Sequence, residues 1–181
     1  MSFIEEYKKA AAEREAMGIP PKPLTAEQVN EVIKLLKQMP IVEEEFLMDL
    51  LLNRVPPGVD DAAYVKAAFL RDIVQGHAKT AAISPKHAVE ILGTMLGGYN
   101  VGPLVEALDH EDPEVAQAAA DALKKTLLVY DAFNDVVEKA KSNKYAKEVL
   151  ESWANAEWFF SRPELPKSIK AVVFKVPGET N

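Results

Sequence analysis

The sequence predicts an all-α fold of stacked helical hairpins, an α-α superhelix, followed by one short β-strand that begins another domain. Three observations carry this expectation. Apolar residues recur at i, i+3 and i+4 through most of the chain. Ser, Thr, Asp, Pro and Gly stand where such helices would start and stop. One helical pair late in the chain also has a looser copy before it.

That pair runs from Gly102 to Lys125, GPLVEALDHEDPEVAQAAADALKK. Pro103 suits a first helical turn, where its missing N–H costs nothing, and Leu104, Ala107 and Leu108 form one apolar stripe. Asp109, His110 and Glu111 make the turn. Asp112 can accept a hydrogen bond from the free N–H groups of the second helix, Pro113 fits its first position, and Glu114 favours the positive end of the dipole. Val115, Ala118, Ala119, Ala122 and Leu123 keep the helical spacing, and their small size admits a close neighbour. A hairpin with an early proline, an Asp-rich turn and small residues in its second helix resembles a HEAT repeat. The resemblance implies a solenoid of such hairpins, since two helices alone cannot bury their apolar faces.

From the amino terminus, Ser2 and Glu5 form a capping box, predicting a helix from Phe3 to about Met17 that Gly18 and Pro20-Pro21 stop. Pro21-Lys22-Pro23 reads as an extended linker. Thr25 and Gln28 repeat the capping signature, and Val29, Val32, Ile33 and Leu36 form a stripe ended by Pro40. Glu43, Glu44 and Glu45 place negative charge at the start of the next helix, whose buried face is Phe46, Leu47, Leu50 and Leu51. The stretch Asn53 to Asp61 holds two prolines and a glycine and should be irregular, with Asp60 or Asp61 capping the following helix.

That helix carries Tyr64, Val65, Ala68, Phe69 and Ile73. Aligning Val65 with Val115 places Ala68 on Ala118 and Ile73 on Leu123. Pairing Leu47 and Leu51 with Leu104 and Leu108 extends the copy backwards, so the third and fourth helices are expected to form a hairpin. Gly76 closes it. Ser84-Pro85 opens another helix with Ala88, Val89, Leu92 and Met95 along one side.

Between Gly97 and Pro103 three glycines accompany Tyr99 and Asn100. Glycine permits positive φ or a close backbone approach. A tyrosine and an amide exceed what a minimal turn requires, so this loop is either a plain helix–helix turn or a contact with a partner or another domain. After Lys125 the pattern stays helical through Leu127, Leu128, Tyr130, Phe133, Val136 and Val137, breaks at Ser142-Asn143, and resumes from Lys144 to Phe160. Trp153 and Trp158 are five positions apart and cannot share one helical face. Either both are core or capping residues of a terminal solenoid helix, or one reaches a contact beyond its own hairpin.

The predicted domains are thus a helical one over 1–160, a linker over 161–168 marked by Pro163 and Pro166, and a strand opening the segment 169–181. The strand, residues 169–176 with sequence IKAVVFKV, has no partner strand in this chain. An unpaired strand leaves an open edge, so the chain is expected to continue past Asn181 or to borrow a sheet.

Composition narrows the function classes. Hydrophobic residues at 48% and charged residues at 27% of 181 positions suit a soluble globular protein. A net charge of −7 weighs against a broad surface for nucleic acid or anionic membrane. With no cysteine there is no disulfide, no thiol nucleophile and no thiolate metal site. The start, MSFIEEYKK, lacks an apolar signal core, and no apolar run approaches the ~20 residues of a membrane helix; the expected location is cytoplasmic. His77, His87 and His110 lack companions at metal-site spacing, Ser84 and Ser161 lack a nucleophile-elbow context, and Gly97-Gly98 follows a helix instead of a strand. No catalytic, cofactor-binding or metal-binding residue is expected.

Several segments together resemble one family. They are Glu43-Glu44-Glu45-Phe46-Leu47; Asn53-Arg54-Val55-Pro56-Pro57-Gly58-Val59-Asp60; Leu92-Gly93-Thr94-Met95 with Gly97-Gly98-Tyr99-Asn100; Ser152-Trp153-Ala154 with Ala156-Glu157-Trp158-Phe159; and Phe174-Lys175-Val176 with Gly178-Glu179-Thr180-Asn181. In order, and over essentially the whole chain, these look like the N-terminal part of the bacterial aconitase B family, bifunctional aconitate hydratases and 2-methylisocitrate dehydratases. The resemblance implies a HEAT-like domain ahead of a swivelling domain whose first strand begins near Ile169.

Family members interconvert citrate and isocitrate through cis-aconitate in the tricarboxylic acid cycle, on a 4Fe–4S cluster held by cysteines. This chain has no cysteine, so the cluster is expected in the rest of a full-length enzyme, no catalytic residue carries over, and the chain should be inactive alone. What the resemblance implies here is protein–protein contact, dimerisation and shaping of the substrate passage. The implied partners are the remaining aconitase domains, a second copy, other metabolic enzymes and, for the cluster-free protein, mRNA. Arg54, Tyr99, Asn100 and Trp158 are the candidate contact residues, because local structure does not fully explain them. The alternative is a free-standing HEAT-like adaptor with no enzymatic context.

Overall fold

The computed structural model describes residues 2–38, 41–126, 129 and 132–155. Among them are nine helices and no strand: α1 Phe3–Ala16, α2 Ala26–Leu36, α3 Glu44–Asn53, α4 Asp61–Val74, α5 Pro85–Gly93, α6 Val101–Ala107, α7 Pro113–Lys124, α8 Ala132–Lys139 and α9 Lys144–Ala154. The linker over 161–168, the strand over 169–176 and Trp158 lie outside the described residues.

Local chemistry sets most helix starts. Ser2 and Glu5, then Thr25 and Gln28, form complete capping boxes at α1 and α2. Asp60 accepts from the Ala63 N–H at 2.9 Å, Ser84 from His87 at 3.2 Å and Asp112 from Glu114 at 2.8 Å. The start of α3 differs. Glu43 takes a left-handed conformation, φ 56°, with no side-chain cap, and its carboxylate pairs with Lys8 of α1. At the far end α9 runs to Ala154, with Asn155 as its C-cap, and the remainder of the predicted helix, to Phe160, lies outside the described residues.

Packing corrects the predicted pairing of α3 with α4. Helix α3 lies on α2, and α4 packs against α2 and α5. The hairpins are α2/α3, α4/α5, α6/α7 and α8/α9. Helices α2, α4, α6 and α8 neighbour one another in one layer, and α5, α7 and α9 in the other. This arrangement is consistent with HEAT-like stacking. The resemblance between α4 and α7 therefore joins helices of opposite layers. Its physical basis is burial: α4 hides Ala62, Ala63, Ala67, Phe69, Leu70, Ile73 and Val74, most of its circumference, so an apolar stripe says little about which neighbour it faces.

One continuous core joins the layers, centred on Leu36, Leu47, Leu51, Leu70, Leu92, Leu104, Leu108 and Leu123, all fully buried. The small residues of α7 do bring a helix close. A Cβ added to Gly93 of α5 would sit 2.8 Å from the Cβ of Ala122. Helix α1 contributes only Ile4 and Tyr7 to the buried core. Tyr7 donates to the Lys22 carbonyl at 3.1 Å and meets Phe46 edge-on at 6.2 Å. No described helix is long and apolar enough to cross a membrane.

Candidate functional site

Two loops far apart in sequence form one surface. The first, residues 54–60, joins α3 to α4; the second, 94–100, joins α5 to α6. At their contact Gly97 has φ +89°, and a Cβ there would stand 2.5 Å from the Gly58 Cα and carbonyl carbon. Only glycine lets the backbones meet this closely. Beside them the Tyr99 hydroxyl donates to the Val59 carbonyl at 3.0 Å, and its ring meets that of Tyr64 edge-on, centroids 5.4 Å apart.

Asn100 holds the second loop from inside. Its Nδ2 donates to the Leu92 carbonyl at 2.9 Å, which also accepts the Met95 N–H at 3.1 Å, and to the Met95 carbonyl at 3.0 Å, both at the end of α5. The residue is 1% exposed. This corrects the expectation for Asn100: it has no surface to offer a partner, and it positions the loop that does. Asn100→Ala should cost about 1–3 kcal/mol by leaving the Met95 carbonyl without its side-chain donor at a buried place. Urea unfolding checks this, and a loss under about 0.5 kcal/mol would show that other donors replace the amide.

The joined loops and the first turn of α4 present apolar groups to solvent. Val59 is 71% exposed, Tyr64 59% and Leu96 65%, with Tyr99 half-buried between the loops. Sequence reading singled out Tyr99 but not these three. A signal for Tyr64 was available, since Asp61, Tyr64 and Arg71 share the one exposed stripe of α4.

Arg54 is the C-cap of α3, half-buried, and its carbonyl accepts from the Leu24 N–H at 2.7 Å. With Pro21, Pro23, Asn53, Val55, Pro56 and Pro57 it lines a hollow of about 140 Å³. Burial pushes the Tyr7 phenol up, and the Arg54 guanidinium pulls it partly back, so the charge faces α1. Arg54 thus ties the proline linker to the base of the first loop, apart from the Tyr99 contact.

Lys66 of α4 is buried at 4% exposure and has no ion-pair partner among the described residues. Burial pushes its ammonium down from 10.5 to about 8. A hollow of about 730 Å³ between α5 and α7 carries ion pairs: Lys86 Nζ lies 2.9 Å from Glu114, and Lys124 lies 3.0 Å from Asp121 at its edge. The chain has no cysteine, and among the described residues no three His, Asp or Glu side chains gather as metal ligands. These residues do not fit an iron–sulfur cluster, whose ligands are cysteine thiolates.

Comparison with known proteins adds the following. Residues 6–159 match the family model described as "Aconitate B N-terminal domain". The chain is 58% identical to aconitate hydratase B of Salmonella typhimurium and 58% identical to that of Escherichia coli, in each case over 99% of this chain and 21% of the relative. It is 50% identical to aconitate hydratase B of Helicobacter pylori over the same shares. The chain therefore spans about a fifth of the length of the curated relatives it matches.

Proposed function

Because the chain belongs to the family of aconitase B N-terminal domains, we propose that it is the non-catalytic helical part of an aconitase B and docks on the enzyme's remaining domains through the joined loops 54–60 and 94–100. In this reading the assembled enzyme interconverts citrate and isocitrate through cis-aconitate, and the solenoid walls part of the substrate's passage. The iron–sulfur cluster and the reacting groups belong to the remainder.

One observation supports the choice of face. Val59 and Leu96 are exposed on loops that the Gly58–Gly97 contact and the Tyr99 hydrogen bond hold in one shape, with Tyr64 exposed beside them on the first turn of α4. Apolar groups held together at a surface suit an interface, and a preformed one loses little conformational freedom on binding. Most of each relative's length lies beyond the matched part and supplies polypeptide to cover such a face.

The test uses a full-length enzyme carrying Val59→Asp together with Tyr64→Ser. Both side chains are largely exposed, so this chain alone should lose no more than the Tyr64–Tyr99 ring contact, about 0.5–1.5 kcal/mol. Losing one buried apolar contact corresponds to about 1.5–3 kcal/mol, or roughly tenfold or more in the docking equilibrium. Faster proteolysis of the joint after this domain and a raised KM are expected. Unchanged proteolysis with unchanged kinetics would remove this face from the proposal.

A further inference from the structure

Helix α1 rests on the body of the solenoid through few side chains. Of its fourteen residues only Ile4 and Tyr7 are buried, whereas the eleven residues of α2 bury Val29, Val32, Ile33 and Leu36. A hollow of about 540 Å³ opens between Phe3, Tyr7 and Ala11 of α1 and Pro21, Pro23 and Gln28 opposite them, so the seat is only partly filled. The side-chain hydrogen bonds of Tyr7 and Arg14 go to the Lys22 and Pro20 carbonyls, in the linker and not in the helices beyond it. What fastens α1 to α3 is small and largely polar. Tyr7 meets Phe46 edge-on, the Lys8 ammonium pairs with the Glu43 carboxylate, and the same ammonium lies 4.7 Å from the centre of the Phe46 ring. Both side chains of the ion pair are more than a third exposed, which leaves it open to screening by salt. Glu43 also has the one positive φ among the described non-glycine residues, 56°, a strained conformation of the kind found at clamps and switches.

The chain between α1 and α2 is suited to turning. Gly18 has φ +72°, and Pro20, Pro21 and Pro23 have no N–H to donate. The first fixed point is Leu24, which is buried and donates its N–H to the Arg54 carbonyl at 2.7 Å. The fully buried leucines that centre the core all lie beyond it, from Leu36 to Leu123. A fourteen-residue helix is marginal in water once it loses its packing, so α1 melts when it parts from α3. We propose that α1 is a salt-sensitive strap that leaves its seat and unwinds as a unit about the segment 18–24, uncovering Phe46 while α2 to α9 stay folded. Opening breaks one exposed ion pair and one ring contact and leaves the core whole, so it takes far less free energy than unfolding the domain. The inference does not rest on the proposed docking of the loops 54–60 and 94–100.

The experiment reads amide hydrogen exchange residue by residue, by nuclear magnetic resonance, on the full 181-residue chain. The amides of Ala10 to Ala16 should exchange about 100-fold or more faster than those of Val32, Ile33 and Leu123, and with one common protection factor, because the strap opens as a unit. Raising sodium chloride from low to high concentration should speed the α1 amides by roughly two- to fivefold, the range of an exposed ion pair. Lys8→Met keeps the helix and removes the charge. It should give that acceleration at low salt and abolish the further effect of salt, while the protection of Val32, Ile33 and Leu123 shows that the body is intact. Exchange of α1 as slow as that of Leu123 overturns the proposal, since α1 would then open only with the whole domain. Protection graded along α1 means fraying from one end and overturns it too. So does exchange as fast as in an unstructured peptide, which leaves no closed strap, or a rate indifferent to both salt and Lys8→Met.

Discussion

Replacing Lys66 by Met is expected to stabilise the domain at neutral pH and to remove part of the rise in its stability at alkaline pH. The folded state holds this ammonium at about 8, against an ordinary 10.5. Between those values the unfolded chain keeps the proton and the folded chain has released it. The unfolded state therefore binds more protons, and stability rises with pH across the window. Below about 8 both states are protonated, and the fold carries the whole cost of a buried ammonium.

Each unit of separation is worth about 1.4 kcal/mol, so on the order of 3 kcal/mol is the upper bound, reduced where the amine tip reaches water. Methionine keeps a similar unbranched volume without the charge. Urea unfolding of wild type and Lys66→Met near pH 7 and near pH 10 measures the effect. Other lysines and the tyrosines titrate in the same range, so the difference between the two proteins is the quantity that counts. Parallel pH dependences would show that the Lys66 ammonium is solvated in the fold.

Gly97→Ala is expected to destabilise the domain by roughly 3 kcal/mol, and Gly98→Ala by only about 1–2. Both residues have positive φ, +89° and +102°, where a Cβ is strained. Only at Gly97 would the Cβ also collide with backbone, 2.5 Å from Gly58; at Gly98 nothing lies within 4 Å. Backbone cannot rotate out of the way as a side chain can, so the Gly97 variant must part the loops. The hydrogen bond from Tyr99 to Val59 and the Tyr64–Tyr99 ring contact should go with it. Denaturant midpoints rank the two variants, and nuclear Overhauser contacts between the two rings report the separation. Equal losses for both would mean that strain alone matters and that the loops are not locked together.

Much of the fold was legible because its signals are local. The capping boxes at Ser2 and Thr25, the stripe Val29, Val32, Ile33 and Leu36, and the pair Asp112-Pro113 act within one helical turn, and each stands where it was expected. The pairing of hairpins was misread because α4 is apolar nearly all round, and a periodic stripe does not name its neighbour. Of the candidate contact residues, Tyr99 lies at the joined loops, Arg54 lies at the proline linker and Asn100 is buried. Trp158 falls outside the described residues. An asparagine looks like a surface residue in sequence, and only the two carbonyls at the end of α5 reveal what its amide does.

The sequence by itself determined the helical class, most helix starts and the absence of any thiol chemistry, since capping, periodicity and composition depend on residues close together in the chain. Tertiary structure alone decided that Gly58 and Gly97 would touch, that Tyr64 would face outward beside Tyr99, and that the Lys66 side chain would be largely buried. Each of these depends on how one hairpin is set against the next. That setting is a sum of many small packing contacts between distant residues, and no short stretch of sequence contains it.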